Sequence, residues 1–287
     1  CGITPRSNNA YSGNAIMDTL LSVLNWLLPL IYLALAIDYG ATFILRSRTH
    51  VRNAGVFLAI VFHGAFLVLW GVRFGGLPLV SNYEILSVVA LSSAAVYWAI
   101  ELVIRDRRAG VFVFLLIFLL QYTSSMSLTT MINQIGGSGS YMQYGWGRLH
   151  VLPAALAYTG LAFGAVYATL YLIGQRNMKH HHFGLLFDRL PPLDLLGRMS
   201  FQSLLVGFAF MTITIITGIV LSSGHDTSAI GSKLMAKIII GSIAWIICTV
   251  NVFGKYVLKW SVSRVSTITL AGFLIVAALF VTSLALS

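Results

Sequence analysis

The sequence predicts an all-α, polytopic integral membrane protein of about eight transmembrane helices, with the N-terminus and the C-terminus both outside. Composition is the first observation: 58% of the 287 residues are hydrophobic and only 9% are charged. A soluble domain carries about 25% charged residues, so a water-facing surface cannot be built from this chain. The second observation is a series of eight apolar runs near the roughly 20 residues that cross the hydrocarbon. The third is that basic side chains cluster in alternate gaps between those runs.

Taken in order, the runs are Leu20–Leu45, Ala54–Trp70, Leu79–Ile104, Val111–Met131, Gly147–Gly174, Phe201–Ser222, Leu234–Phe253 and Ile268–Ser287. The fourth is unbroken apolar over Val111–Leu120 and then rich in Ser and Thr over Tyr122–Thr130. Those hydroxyls can bond back to the preceding turn, so the span can continue without unpaired polar groups. Residues 1–18 read as a polar outer N-terminal arm and 19–287 as one eight-helix transmembrane domain.

Charge placement fixes the expected direction. Arg46, Arg48 and Arg52, then Arg105, Arg107 and Arg108, then Arg176, Lys179, Arg189 and Arg198, then Lys255, Lys259 and Arg264 fill alternate gaps. The other gaps hold Arg73, Arg148 and Lys233, with Arg6 in the arm. The positive-inside rule makes the rich gaps cytoplasmic. A formal charge of +10 in a soluble protein would suggest nucleic acid. Here the charges sit beside apolar runs, as membrane anchors do, and the partner they imply is the lipid bilayer.

Several connectors are more than links. Asn133–Gly145 is a Gly/Ser-rich outer loop with few helix formers. Gln175–Met199 is the longest inner connector, long enough for a short interfacial helix. Its Pro191-Pro192 pair should end any helix before it, and it also carries His180, His181 and His182. Adjacent positions on a helix point in different directions, so these three imidazoles do not preform a metal site. The two cysteines, Cys1 and Cys248, cannot make a disulfide framework. A Cys-Gly start on the outer side matches a processed, lipidated lipoprotein terminus, with Cys1 as the modified residue. The competing reading is that numbering starts downstream of the true beginning.

Ionisable groups in or beside spans are costly and default to functional candidates. His63 lies mid-span in VFLAIVFHGAFLVLW and His150 near the outer end of the fifth run, in GWGRLHVLPAALAY. Glu84 starts the third helix, in PLVSNYEILS, and Lys237 lies a turn into the seventh run. An imidazole in a helix bundle can ligate haem iron or hydrogen-bond between helices with no metal present. Glu84 can pair with Arg73 or Arg148 on the same side. His225 and Asp226 lie in the outer loop Ser222–Ser232, as a ligand-reaching or merely solvated pair. There is no phosphate-binding loop, HExxH or paired-cysteine motif. No Ser or Cys has a neighbouring base that would make it a nucleophile, and no catalytic residue is assigned.

Between His50 and Phe280 the chain resembles the cytochrome c assembly superfamily, which includes CcsA-type haem handlers and eight-span HemX-like proteins. The resemblance rests on Gly71–Glu84 (GVRFGGLPLVSNYE) and on Leu149-His150 followed by Leu156, Tyr158 and Phe163. Further matches are Asp194-Leu195 with Gly207–Gly218 (GFAFMTITIITG), then Lys237 and Trp245, then Gly272-Phe273. It implies a protein that binds or helps deliver haem during haem-protein maturation. His63 would be an axial ligand within the bundle and His150 an outer-face ligand or polar contact. Glu84 would orient a neighbour or balance charge. The expected setting is a bacterial-type cytoplasmic membrane, with haem proteins or other membrane-complex subunits as partners.

The chain also departs from the family. The tryptophan-rich signature of the haem-handling loop is replaced by SSGHDTSAIGSKLMAK, and no histidine follows His225. That motivates a rival reading as a non-catalytic subunit of a larger electron-transfer complex. It also predicts that the loop Ser222–Ser232 holds no haem, so that any haem lies near His63 and His225→Ala changes nothing. A solute transporter is disfavoured by the few intramembrane charges and the lack of paired broken helices. Gly160, Gly164, Gly207 and Gly218 permit close helix approach.

Overall fold

The computed structural model describes residues 6–45, 53–76, 79, 81–104, 107–134, 150–181, 184–222 and 232–285. Cys1, Arg148, His182, His225 and Asp226 lie outside the described residues, as does the side chain of Lys237. Among the described residues the chain is all-α. The helices are α1 (Arg6–Leu45), α2 (Asn53–Phe74), α3 (Asn82–Ile104), α4 (Gly110–Gln134), α5 (Val151–Lys179), α6 (Leu185–Arg189), α7 (Leu193–Ser222), α8 (Ser232–Tyr256) and α9 (Val262–Ala285). Eight of them, all but α6, are long and apolar enough to cross a membrane. Their outer faces carry large apolar side chains such as Leu30, Ile37, Leu58, Val68, Ile216 and Leu274, all more than half exposed. Such faces are stable only against lipid. This is a multi-pass membrane protein.

The observed helices differ from the apolar runs mainly at their ends. Helix α1 already begins at Arg6, so residues 6–18 of the expected arm continue into the first span. Helix α7 begins eight residues earlier than its apolar run, directly after Pro191-Pro192, with Asp194 in its first turn. An acidic residue there complements the helix dipole. The short α6 stops at Arg189, ahead of the two prolines, as a proline-terminated interfacial helix should. Helix α5 ends beside His180, and His181 takes a left-handed φ of 55° that closes the turn.

Two halves make up the bundle. Helices α1 to α4 pack mainly on one another, as do α5, α7, α8 and α9, and α3 against α5 is the principal contact between the halves. A core of Tyr32, Tyr39, Tyr97, Phe114, Phe163 and Tyr167 lies across that junction. A second core of Leu161, Leu204, Met211, Ala244 and Cys248 fills the other half.

Helix α5 lies backbone to backbone on α7. A Cβ placed on Gly160 would lie 2.6 Å from the Cα of Gly207 and 2.8 Å from the Ser203 carbonyl oxygen. Gly164, one turn on, receives the Ser200 hydroxyl on its carbonyl at 2.9 Å. A small residue at each of two positions four apart is what lets two membrane helices touch backbone to backbone.

Cross-helix bonds fix which ends lie together. At one end Arg73 forks onto Asp18, with Nε–Oδ1 at 2.6 Å and Nη2–Oδ2 at 2.9 Å. The start of α3 and the start of α5 share that end. At the opposite end Arg107 pairs with Glu101 at 2.6 Å, and Tyr39 donates to the same carboxylate. Arg108 donates to the Leu190 carbonyl at 3.2 Å, and Ser263 donates to Gln175 at 2.9 Å. The described residues of the basic gaps therefore gather at one end of the bundle, which is what alternate-gap clustering requires.

Candidate functional site

Glu84 is a helix-start residue. Ser81 and Glu84 form a reciprocal capping box: the Ser81 N–H donates to Glu84 Oε2 at 2.9 Å and the Glu84 N–H donates to Ser81 Oγ at 3.1 Å. The other carboxylate oxygen accepts from the Trp70 indole at 3.1 Å, and Glu84 is fully buried. The spacing Ser-x-x-Glu before an apolar run was the readable signal for this role. Arg73, one of the two basic residues that could pair with Glu84, is forked on Asp18.

His63 is also fully buried, in a chain of side chains from four helices. Tyr32 Oη lies 2.8 Å from its Nδ1. Ser87 Oγ lies 2.9 Å from its Nε2. Ser87 donates to Gln121 Oε1 at 3.0 Å, and Gln121 Nε2 donates to Ser125 Oγ at 3.1 Å. Ser125 in turn donates to the Asn25 carbonyl at 2.8 Å.

That last acceptor has a covalent cause. Pro29 stands four residues after Asn25 inside α1, and proline has no N–H to give the Asn25 carbonyl. In lipid an unpaired carbonyl costs several kcal/mol or thereabouts, and the Ser125 hydroxyl satisfies it. Ser124 likewise reaches across, to the Tyr83 carbonyl at 2.7 Å. Thr123 and Thr129 instead bond back within α4, at 2.9 Å and 2.8 Å. The hydroxyl-rich half of α4 therefore divides between back-bonding and cross-helix bonds.

Because a carbonyl can only accept, the whole chain has a fixed direction. Ser125 gives its hydrogen to Asn25, so it must accept from the Gln121 amide nitrogen. The Gln121 oxygen then faces Ser87 and takes that hydroxyl hydrogen. Ser87 therefore accepts from His63, which makes His63 the Nε2–H tautomer. Its bare nitrogen, Nδ1, accepts from the Tyr32 hydroxyl. Both ring nitrogens are thus occupied by protein groups, and no ring surface is open. Iron ligation at His63 would require Tyr32 to be displaced, so the arrangement does not fit a resident axial ligand. Asn25, Tyr32, Ser87, Gln121 and Ser125 were not singled out from sequence. The available signal was two carboxamides, Asn25 and Gln121, inside apolar runs.

His150 sits in the other half, immediately before α5, and is partly exposed. Its Nδ1 lies 2.9 Å from Thr217 Oγ1 on α7. The ring rests on Gly218, where an added Cβ would come within 3.0 Å of His150 Cε1. Burial lowers its pKa from the usual imidazole value. The bonds of His63 run to α1 and α3 while that of His150 runs to α7, and the structure does not join the two in one polar cluster. Among the described residues no group of three or more His, Cys, Asp or Glu could hold a metal ion.

The match to the cytochrome c assembly protein family runs over residues 59–286, from within α2 past the end of α9. The chain belongs to that family. Two relatives are proteins described as cytochrome c biogenesis protein CcsA, from two strains of Heterosigma akashiwo. Each is 32% identical over 102 residues, which is 36% of this chain and 32% of the relative. The aligned stretch thus covers about a third of those relatives' length. No solved structure matches the chain.

Proposed function

We propose that this cytochrome c assembly family member is a haem-handling protein of a bacterial-type cytoplasmic membrane, with the His150 end outward. The observation that carries it is the family match across residues 59–286 together with an imidazole pinned at one end of the bundle. Clustering of the basic residues at the opposite end supports the orientation, through the positive-inside rule. His150 would hold haem through its iron, and haem would supply a redox-active porphyrin for delivery to a haem protein. Thr217 and Gly218 orient that imidazole. Glu84 stabilises the same end through its cap and Trp70, and His63 holds α1, α2 and α3 together.

The test is haem content of the purified full chain expressed with ample haem. The expected result is a Soret band near one haem per chain that falls at least about 10-fold in His150→Ala, since even loss of a ligand's outer-shell partner costs about 10–100-fold in affinity. Well-folded wild-type protein lacking stoichiometric haem would overturn the reading.

One observation favours a second reading, a non-catalytic subunit of a membrane electron-transfer complex. The segment 222–237 contains no tryptophan, so it offers no indole surface for a porphyrin. Stoichiometric co-purification of other subunits in mild detergent, without haem on this chain, would establish that alternative.

A further inference from the structure

Thr217 does more than touch His150. Its hydroxyl has one hydrogen and three neighbours that could receive it: the Ile213 carbonyl at 2.8 Å, the Thr214 carbonyl at 3.1 Å and His150 Nδ1 at 2.9 Å. Two of these are carbonyl oxygens, which only accept. If the hydrogen went to His150, the 2.8 Å contact with the Ile213 oxygen would set two lone pairs against each other. If it goes to the carbonyl, Thr217 Oγ1 becomes an acceptor and His150 must supply the hydrogen from Nδ1. The second arrangement satisfies the Ile213 and His150 contacts, and the one hydrogen can be shared with the more distant Thr214 oxygen.

We propose that Thr217 is a positioning residue that fixes His150 as the Nδ1–H tautomer, so that Nε2 carries the lone pair for a Lewis-acidic ligand. This rests on the haem-handling reading for the class of ligand, but the tautomer follows from the hydroxyl geometry alone. A metal-ligating histidine uses one nitrogen while the other donates to an oriented acceptor, and that acceptor selects the tautomer and raises ligand basicity. Here a threonine hydroxyl, itself anchored by back-bonding to α7, serves as the acceptor. Gly218 completes the device. Its missing side chain lets the ring lie flat on α7, because a Cβ would meet Cε1 at 3.0 Å. The assignment is the reverse of His63, whose Nε2 bears the hydrogen.

The experiment has one arm that needs no haem. In full-length, haem-free protein labelled with 15N in histidine, His150 should give the nitrogen shifts of the Nδ1–H tautomer. Its resonance is identified by its loss in His150→Ala. An Nε2–H tautomer in the wild-type protein overturns the proposal. In Thr217→Val the population should move toward Nε2–H, and Thr217→Ser should restore it.

The second arm titrates the detergent-purified chain with haemin and follows the Soret band. Thr217→Val should weaken binding about 10-fold, within the range for lost outer-sphere partners, and Thr217→Ser should bind as the wild type does. If His150→Ala weakens haem binding but Thr217→Val does not, positioning by Thr217 is refuted while the haem reading stands. If His150→Ala binds haem normally, the haem reading fails, and the tautomer arm still decides the role of Thr217.

Discussion

The two halves of the bundle hold their helices together by opposite means. Helices α1 to α4 are laced by side chains, with Tyr32, His63, Ser87, Gln121 and Ser125 in one directed chain that ends on a backbone carbonyl. On the other side, α5 and α7 meet backbone to backbone at Gly160 and Gly207. Each half has a histidine in its cross-helix hydrogen bonds, His63 in one and His150 in the other, and the hydrogen-bond directions give the two rings opposite tautomers. The comparison teaches that the chemistry open to a membrane histidine is set by what its neighbours must donate. Depth in the bilayer does not decide it. His63 is closed because its bare nitrogen faces a phenol, whereas the contact of His150 Nδ1 with Thr217 leaves Nε2 as its basic nitrogen.

The comparison can be broken most severely at the glycine seam. Gly160→Leu places a large side chain where even a Cβ lies 2.6 Å from the Gly207 backbone. Overpacking of this kind costs about 3 kcal/mol or more, so thermal unfolding in detergent should show a strongly lowered midpoint or little folded protein. A near-normal midpoint would mean that the two helices can part without loss.

A smaller effect is expected at the centre of the polar chain. Gln121→Leu removes a bridging amide and leaves the Ser87 and Ser125 hydroxyls without that partner. Membrane hydrogen bonds average about 0.6 kcal/mol with a maximum near 1.7, so a loss of about 1–2 kcal/mol is expected. Haem content should be unchanged, since His150 lies in the other half. A drop in haem content with the fold intact would link the halves and contradict the division drawn here.

The mildest change sharpens the comparison. In Pro29→Ala the Asn25 carbonyl regains a helical N–H, and Ser125 no longer has to donate to it. Stability should shift by less than about 1 kcal/mol, because a helix-compatible residue replaces the proline while one cross-helix bond is relaxed. The visible effect should be at His63, where 15N shifts are expected to move from the Nε2–H form toward a mixture. Shifts identical to wild type would show that something other than this carbonyl fixes the direction.

Much of the fold was legible because lipid imposes a length and a composition on every span, and charge repulsion from the bilayer core segregates the basic gaps. The short helix before Pro191-Pro192 was legible for the same local reason that prolines end helices. Site roles were less so. Intramembrane ionisable residues were flagged by type, but type does not say who donates to whom. Glu84 belonged to a capping box spelled Ser81-Asn82-Tyr83-Glu84, a pattern visible in sequence. The partners of His63 come from α1 and α3, and the row behind Ser87 runs on to Gln121 and Ser125 in α4. No local pattern brings them together. Thr217 reads as one more hydroxyl in an apolar helix until the ring of His150 is seen resting beside it.

Pro29 has a consequence that reaches beyond the turn it interrupts. A row of hydroxyls, an amide and an imidazole can usually point either way, and thermal motion would average its polarity to nothing. Anchored on the Asn25 oxygen, this row runs in one sense only, leaving α1 at the Tyr32 hydroxyl, passing through α2, α3 and α4, and returning to α1 at Asn25. The half-bundle α1 to α4 thereby acquires a one-way circuit of side-chain hydrogen bonds, lying in a medium that screens it weakly. Its sense is set by the one residue that cannot offer a hydrogen.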